Sequence, residues 1–199
     1  MNDATLRTDF LTATSRNIGA VPAASVSTIT ATEFGDHLLH QTLLTYNAFP
    51  VVTGNTTGAS FGSKQVYDFP AGRVAIISNL AYFTQITFNT EAGTNGDIAG
   101  AGSGDYSMGS TATADATLAT TDVDLLPSTA MLDPFVTGVG RSNVGSALAA
   151  LVQFDGTTTP LDMYLNVIID DADVSDGAAN DSVYFTGWSR TTWLWLGDY

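Results

Sequence analysis

The chain has 199 residues, of which 20 are acidic, 6 basic and none cysteine, for a formal net charge of -14. A domain of this size buries roughly 70% of the surface its unfolded chain exposes, so it needs no staples, and without cysteine it has no disulfide framework, thiolate metal site or cysteine nucleophile. So negative a surface repels phosphate backbones and anionic lipid, and no run of about 18 apolar residues offers a spanning helix; neither nucleic acid nor membrane is an expected partner.

The opening stretch, "MNDATLRTDFLTATSRN", has no apolar core preceded by basic residues, so it reads as a mature N-terminus and not as a secretory signal. Residues 1–35 are mostly Ala, Thr and Ser with single large apolar residues such as Leu6 and Phe10, and turn signals stand at Gly19 and Pro22. This predicts an extended N-terminal arm, which at about 30 residues could reach on the order of 100 Å. Residues 36–199 form the body, a single domain. Thr, Val, Ile, Tyr, Phe and Gly are plentiful there while Glu, Lys and Arg are scarce, a balance that favours strands over exposed helices.

The body opens with the β-rich run "HQTLLTYNAFPVV". "KQVYDFPAGRVAIISNLAYFTQITFN" follows, with a Pro-Ala-Gly turn, a solid apolar run from Val74 to Ile77, and an alternation that places Tyr82, Thr84, Ile86 and Phe88 on one strand face. Asn95-Gly96 is a tight-turn signal. "YSMGSTATADATLATTDVDLL" is a further alternating stretch closed by Pro127, and "VGSALAALVQF" reads equally as a short helix or a loop-side turn. "PLDMYLNVII" and "SVYFTGWSRTTWLWL" complete the set. Strands joined by turns, without intervening amphipathic helices, predict a mainly β fold: an antiparallel β-sandwich or jelly-roll-like domain.

Between the last two runs lies "DDADVSDGAAND". A calcium loop requires glycine at its sixth position and a bidentate Glu at its twelfth; counted from Asp171 these are Asp176 and Ser182. Asp170, Asp171 and Asp173 remain candidates for a looser oxygen site, weighed against a solvated loop whose aspartates make local turns and against a carboxylate pair for glycoside hydrolysis. "GAGSGDYSMGST" has the glycine spacing of a phosphate loop from Gly104 to Gly109, but Ser110 stands where the lysine belongs. In "GVGRSNVG", Asn143 occupies the third glycine's place of a dinucleotide fingerprint. His37 and His40 are three residues apart, and a metal between them would have only carboxylates to complete its shell, so structural or surface histidines are expected. No GxSxG elbow is present. None of these patterns predicts a catalytic residue or a cofactor.

In the closing "TTWLWLGDY", Trp193 and Trp195 fall on one side of a strand and Leu194 and Leu196 on the other. Such a strand is either central in a sandwich or covered by another chain.

The segments "KQVYDFPAGRVAI", "GDYSMGSTATADATL", "VDLLPST", "DGTTTPLDMYLNVIIDDADVS" and "WLWLGDY", in that order over roughly residues 64–199, resemble a family of tailed-bacteriophage virion proteins that are typically encoded beside the major capsid protein and are similar to capsid decoration, or cement, proteins. The resemblance implies a β-sandwich or jelly-roll subunit, a homotrimer, seated on the outer surface of the capsid at threefold or quasi-threefold positions with the major capsid protein as partner. It carries no catalytic residues, no cofactor and no fixed pattern for the N-terminal region. Trp193, Trp195, Leu6 and Phe10 are the candidate contact residues. The alternatives are another virion component (tail, collar or head fibre), a carbohydrate-binding β-sandwich with exposed aromatics and Asp-bound calcium, and, third, a hydrolase.

Overall fold

The computed structural model describes residues 18–35, 38–56, 59–89, 104–131, 143–144, 152–169 and 181–197. Within them run the strands β1 (Ile29–Gly35), β2 (Leu39–Thr56), β3 (Ala59–Asp68), β4 (Gly72–Asn89), β5 (Gly104–Gly109), β6 (Leu126–Met131), β7 (Asn143–Val144), β8 (Val152–Gly156), β9 (Asp162–Ile169) and β10 (Asp181–Gly197), with one 3-10 turn at Thr120–Asp122. Their pairings are antiparallel throughout. The fold is mainly β and sandwich-like, as composition and alternation predict.

Two layers are linked by β2. Its first part pairs with β1 and β10, and β10 pairs in turn with β4, which carries β7 and β8. Its last residues, Gly54 to Thr56, pair instead with β3, which leads through β9 and β5 to β6. One strand thus feeds both layers and the sheet curls around its own core. Phe83 of β4 and Phe185 of β10 lie 4.9 Å apart between ring centres, and both meet Tyr106 of β5 from the opposite layer, at 5.2 and 6.0 Å. Edge-on aromatic contacts of this kind contribute about 0.5–1.5 kcal/mol each beyond simple burial. A polar bridge also spans the layers: Thr191 Oγ1 donates to Asn79 Oδ1 at 3.1 Å, and Asn79 Nδ2 points at Met108 Sδ at 3.5 Å.

Two strands, β2 and β4, bulge at one level against β10. Opposite Thr186–Gly187 of β10, β2 carries extra residues at Asn47–Ala48 and β4 an extra residue at Thr84. Ala48 takes a positive φ of 47°, its N–H donates to Thr186 Oγ1 at 3.1 Å, and Thr84 Oγ1 donates to the Thr186 carbonyl at 3.2 Å. Gly187 has φ +152°, and a Cβ there would meet the Tyr82 carbonyl oxygen at 2.2 Å. The bulges bend the layer and shift its phase. The expected shared face of Tyr82, Thr84, Ile86 and Phe88 is therefore corrected: Tyr82 and Thr84 face outward, and Phe83 and Ile86 are buried on either side of the slip. A second slip at Ile77 leaves that residue 40% exposed although Val74, Ala75 and Ile76 are buried.

Two further expectations change. "YSMGSTATADATLATTDVDLL" is a strand only to Gly109; residues 110–125 cross the outer side of the β5–β9 layer as a loop. Asn166 of β9 holds it with a fully used amide: Oδ1 accepts from Ser63 Oγ at 2.6 Å and Thr113 N–H at 3.1 Å, while Nδ2 donates to the carbonyls of Thr111 at 3.1 Å and Asp122 at 2.9 Å. The stretch from residue 18 to 35, read as arm, belongs to the body. Ala20 and Asp68 exchange two backbone hydrogen bonds of 2.9 and 2.8 Å, Ser25 Oγ donates to the Gln65 carbonyl at 2.9 Å, and β1 pairs along β2. The cause is an alternation of weak contrast: Ile29, Ala31 and Glu33 turn inward, and Thr30, Thr32 and Phe34 outward.

Candidate functional site

Of the sequence-predicted residues, Leu6, Phe10, Asp170, Asp171 and Asp173 lie outside the described residues, as do His37 and Asn95-Gly96. Trp193 is corrected from contact element to core: it is fully buried, stacked on His40 with ring centres 4.2 Å apart and packed edge-on against Phe69 at 5.4 Å. Its neighbour Trp195 is half-buried, packs against the same core, and donates from Nε1 to the Ala71 carbonyl at 3.2 Å. The inward alternation of β10 through Phe185, Ser189, Thr191 and Trp193 places both indoles on the core side. His40 is likewise buried, in agreement with a structural role. The Gly104–Gly109 segment is strand β5, paired with β6 and β9.

The polar clusters follow structural logic. Glu33 is turned into the body, where its Oε1 accepts from Thr42 Oγ1 at 2.7 Å and from the Tyr67 hydroxyl, while the Gly19 N–H donates to that hydroxyl at 3.0 Å. Burial raises the pKa of Glu33, partly offset by those two hydrogen bonds. Asp68 and Asp162 stand opposite each other on β3 and β9, and Asp68 is raised first by burial and then by the Asp162 charge. A hollow of about 490 Å³ is lined by Asp155, Asp162, Tyr164, Phe154 and Ser110 among others. Two of its polar groups are engaged: Ser110 donates both N–H and hydroxyl to Asp124, at 2.8 and 2.7 Å, and Thr157 and Arg73 hold Asp155 below the ordinary carboxylate range. Among the described residues, no three His, Cys, Asp or Glu side chains gather to hold a metal ion.

The surface that stands out is the outer face of β1, β2, β10 and β4. An antiparallel layer normally offers solvent a polar face; this one carries a grid of large apolar groups. The register sets Thr45, Trp188 and Tyr82 in one row, Leu43, Arg190 and Leu80 in the next, and Leu39 beside Leu194 farther along. Trp188 and Tyr82 are half-buried with ring centres 6.0 Å apart, and Phe34 at the β1 rim is 53% exposed. Phe34, Gln41, Leu43, Thr45, Trp188 and Arg190 enclose a groove of about 330 Å³. Across β1, β2, β4 and residues 182–197 the sole carboxylate is Glu33, which points inward. The exposed Arg190 side chain makes no ion pair with any described residue.

Neither a protein-family model nor a curated protein sequence matches this chain. The candidate site therefore rests on geometry. Trp188, Arg190 and Phe34 were not singled out by sequence, although a signal existed: carried backward, the alternation that sets Leu194 and Leu196 opposite the tryptophans puts Trp188 and Arg190 on that same outer side. No comparable signal marks Phe34, which is the lone large group on the outward side of a Thr/Ala-rich strand.

Proposed function

We propose that the protein is a non-enzymatic capsid decoration protein of a tailed bacteriophage, bound to the outer surface of the assembled major capsid protein lattice as a homotrimer at threefold or quasi-threefold positions. The observation that carries this reading is the apolar, aromatic sheet face on a two-layered β body, free of outward carboxylate across β1, β2, β4 and residues 182–197, a surface suited to contact with another chain. The ordered series of segments resembling that family supports the same reading. A cement protein performs no bond chemistry: it bridges neighbouring capsomers so that separating them costs additional free energy, and three copies acting together make individually weak contacts hold. Residues 1–17, with Leu6 and Phe10, supply further contact chemistry, and the acidic remainder keeps particles dispersed.

The test is addition of purified protein to heads that lack it, followed by cosedimentation and heat challenge. Bound protein that raises the temperature of genome release supports the reading, and deletion of residues 1–17 should lower occupancy. Absence of binding to assembled heads sinks it, and binding confined to tail, collar or head fibre moves the protein elsewhere in the virion.

A second reading is favoured by the groove itself, where Trp188, Phe34 and Tyr82 with Gln41 and Arg190 present the apolar planes and polar donors of a carbohydrate-binding sandwich. Glycan-array binding that disappears in Trp188→Ala would support it, and loss on chelation would add a calcium requirement.

A further inference from the structure

The two outer faces of the body are chemical opposites. Over β5 and β9 lies the 110–125 loop, and with neighbouring β5 it presents Asp105, Asp115, Asp122 and Asp124. Asp115 is exposed and Asp122 half-buried, whereas Asp124 is engaged by Ser110. On the other side the β1, β2, β10 and β4 face is aromatic, carries no carboxylate across β1, β2, β4 and residues 182–197 other than the inward Glu33, and bears Arg190, whose guanidinium makes no ion pair with any described residue. In a chain with 20 acidic and 6 basic residues, that distribution leaves the groove that holds Arg190 lined without a carboxylate.

We propose that this face is a self-association surface whose occupant is a second copy of the chain, seated through its acidic 110–125 loop. Charge complementarity selects the occupant: Arg190 lines the groove, and the opposite face of another copy supplies exposed carboxylate with no competing cation among the described residues of that loop. Trp188, Leu43 and Phe34 line the same groove as Arg190, so docking removes water from around the pair and strengthens it. Because the two faces differ, the contact is head-to-tail: copies joined this way close into a ring when the rotation permits and otherwise continue as a filament. This deepens the homo-oligomer element of the proposed function and rests on that element alone, since no capsid is needed for the copies to meet.

The experiment measures the mass of the full-length purified chain by light scattering and native mass spectrometry across a concentration and salt series. An oligomer that weakens as salt rises is expected. Arg190→Glu and Trp188→Ser should each weaken association about tenfold or more with unchanged far-UV circular dichroism. Asp115→Lys combined with Asp122→Lys should do the same, and adding Arg190→Glu to that pair should restore assembly. A monomeric wild-type chain overturns the proposal, as does an oligomer indifferent to both face substitutions. A triple variant that stays monomeric removes the acidic loop as occupant and overturns it too. Cosedimentation with heads reads the capsid element separately: self-association without head binding refutes only the latter, and head binding by a monomer refutes only the former.

Discussion

The indole N–H of Trp193 donates to the Thr42 hydroxyl at 2.9 Å, and the Thr42 hydroxyl in turn donates to Glu33 Oε1 at 2.7 Å. Three strands, β10, β2 and β1, are thereby tied by one chain of hydrogen bonds inside the body. Trp193→Phe keeps a ring against His40 and Phe69 but removes the first link and part of the volume. A loss of about 1–3 kcal/mol is expected, read as a lower midpoint in urea unfolding with an unchanged slope. An unchanged midpoint would show that the hydrogen bond and the fit of the indole contribute nothing.

Glu33 gives the same cluster a pH dependence. Its raised pKa means that the native chain holds this proton more tightly than the unfolded chain does, since burial penalises the carboxylate and Oε2 has no hydrogen-bond partner among the described residues. The stabilisation is complete below the ordinary carboxylate value of 4.5 and is lost as pH rises through the folded-state value. Asp68 and Asp124, also raised, act in the same direction, and the Tyr67 hydroxyl that faces Glu33 is raised as well and stays neutral. Glu33→Gln should flatten the decline in Tm between pH 4.5 and pH 8 relative to the wild type. Parallel Tm profiles for the two proteins would contradict the assignment.

Asn166→Asp replaces an amide that donates to two carbonyls with a group that cannot, setting oxygen against the Thr111 and Asp122 carbonyls. About 3 kcal/mol or more is at stake for a fully buried network of this kind. Limited proteolysis should then cut within residues 110–125 while the remaining body persists. Equal resistance to protease in both proteins would mean that the loop is held by something other than Asn166.

Gly187→Ala tests the paired bulges of β2 and β4 against β10. The added methyl group meets the Tyr82 carbonyl at a φ of +152°, and a cost of at least about 1 kcal/mol is expected. Thr186→Val, which removes the acceptor for the Ala48 N–H at an exposed position, should cost less than that. Thermal unfolding of the two variants side by side decides it, and the reverse order would dismiss backbone geometry as the constraint.

The strands richest in large β-branched and aromatic residues were legible from composition and alternation; β2, β9 and β10 fall close to the quoted runs. Alternation failed where strands bulge, because the slips at Thr84 and Ile77 depend on pairing with β10, a partner more than 100 residues away. It also failed in "STATADATLATTDVD", whose alternating Thr and Ala satisfy a strand pattern while Asn166, from β9, and Asp124, at the loop's own far end, satisfy the loop's backbone instead. β1 was hidden because Thr, Ala and Glu offer little contrast between faces. The candidate site was half visible: β10 announces an apolar strand, but which indole is core and which is surface depends on the layer that closes over Trp193.

The position of β10 has a consequence for synthesis on the ribosome. It is the last described strand in the chain, yet it sits between β2 and β4, with Trp193 aligned to His40 on one side and Ile76 on the other. Until those residues emerge, both earlier strands present unpaired edges, the condition that invites pairing with the wrong chain. The nascent protein spends most of its synthesis as a sheet with a missing centre, and pairings this distant in sequence form slowly. Truncated products and stalled translation are thus the states most exposed to aggregation.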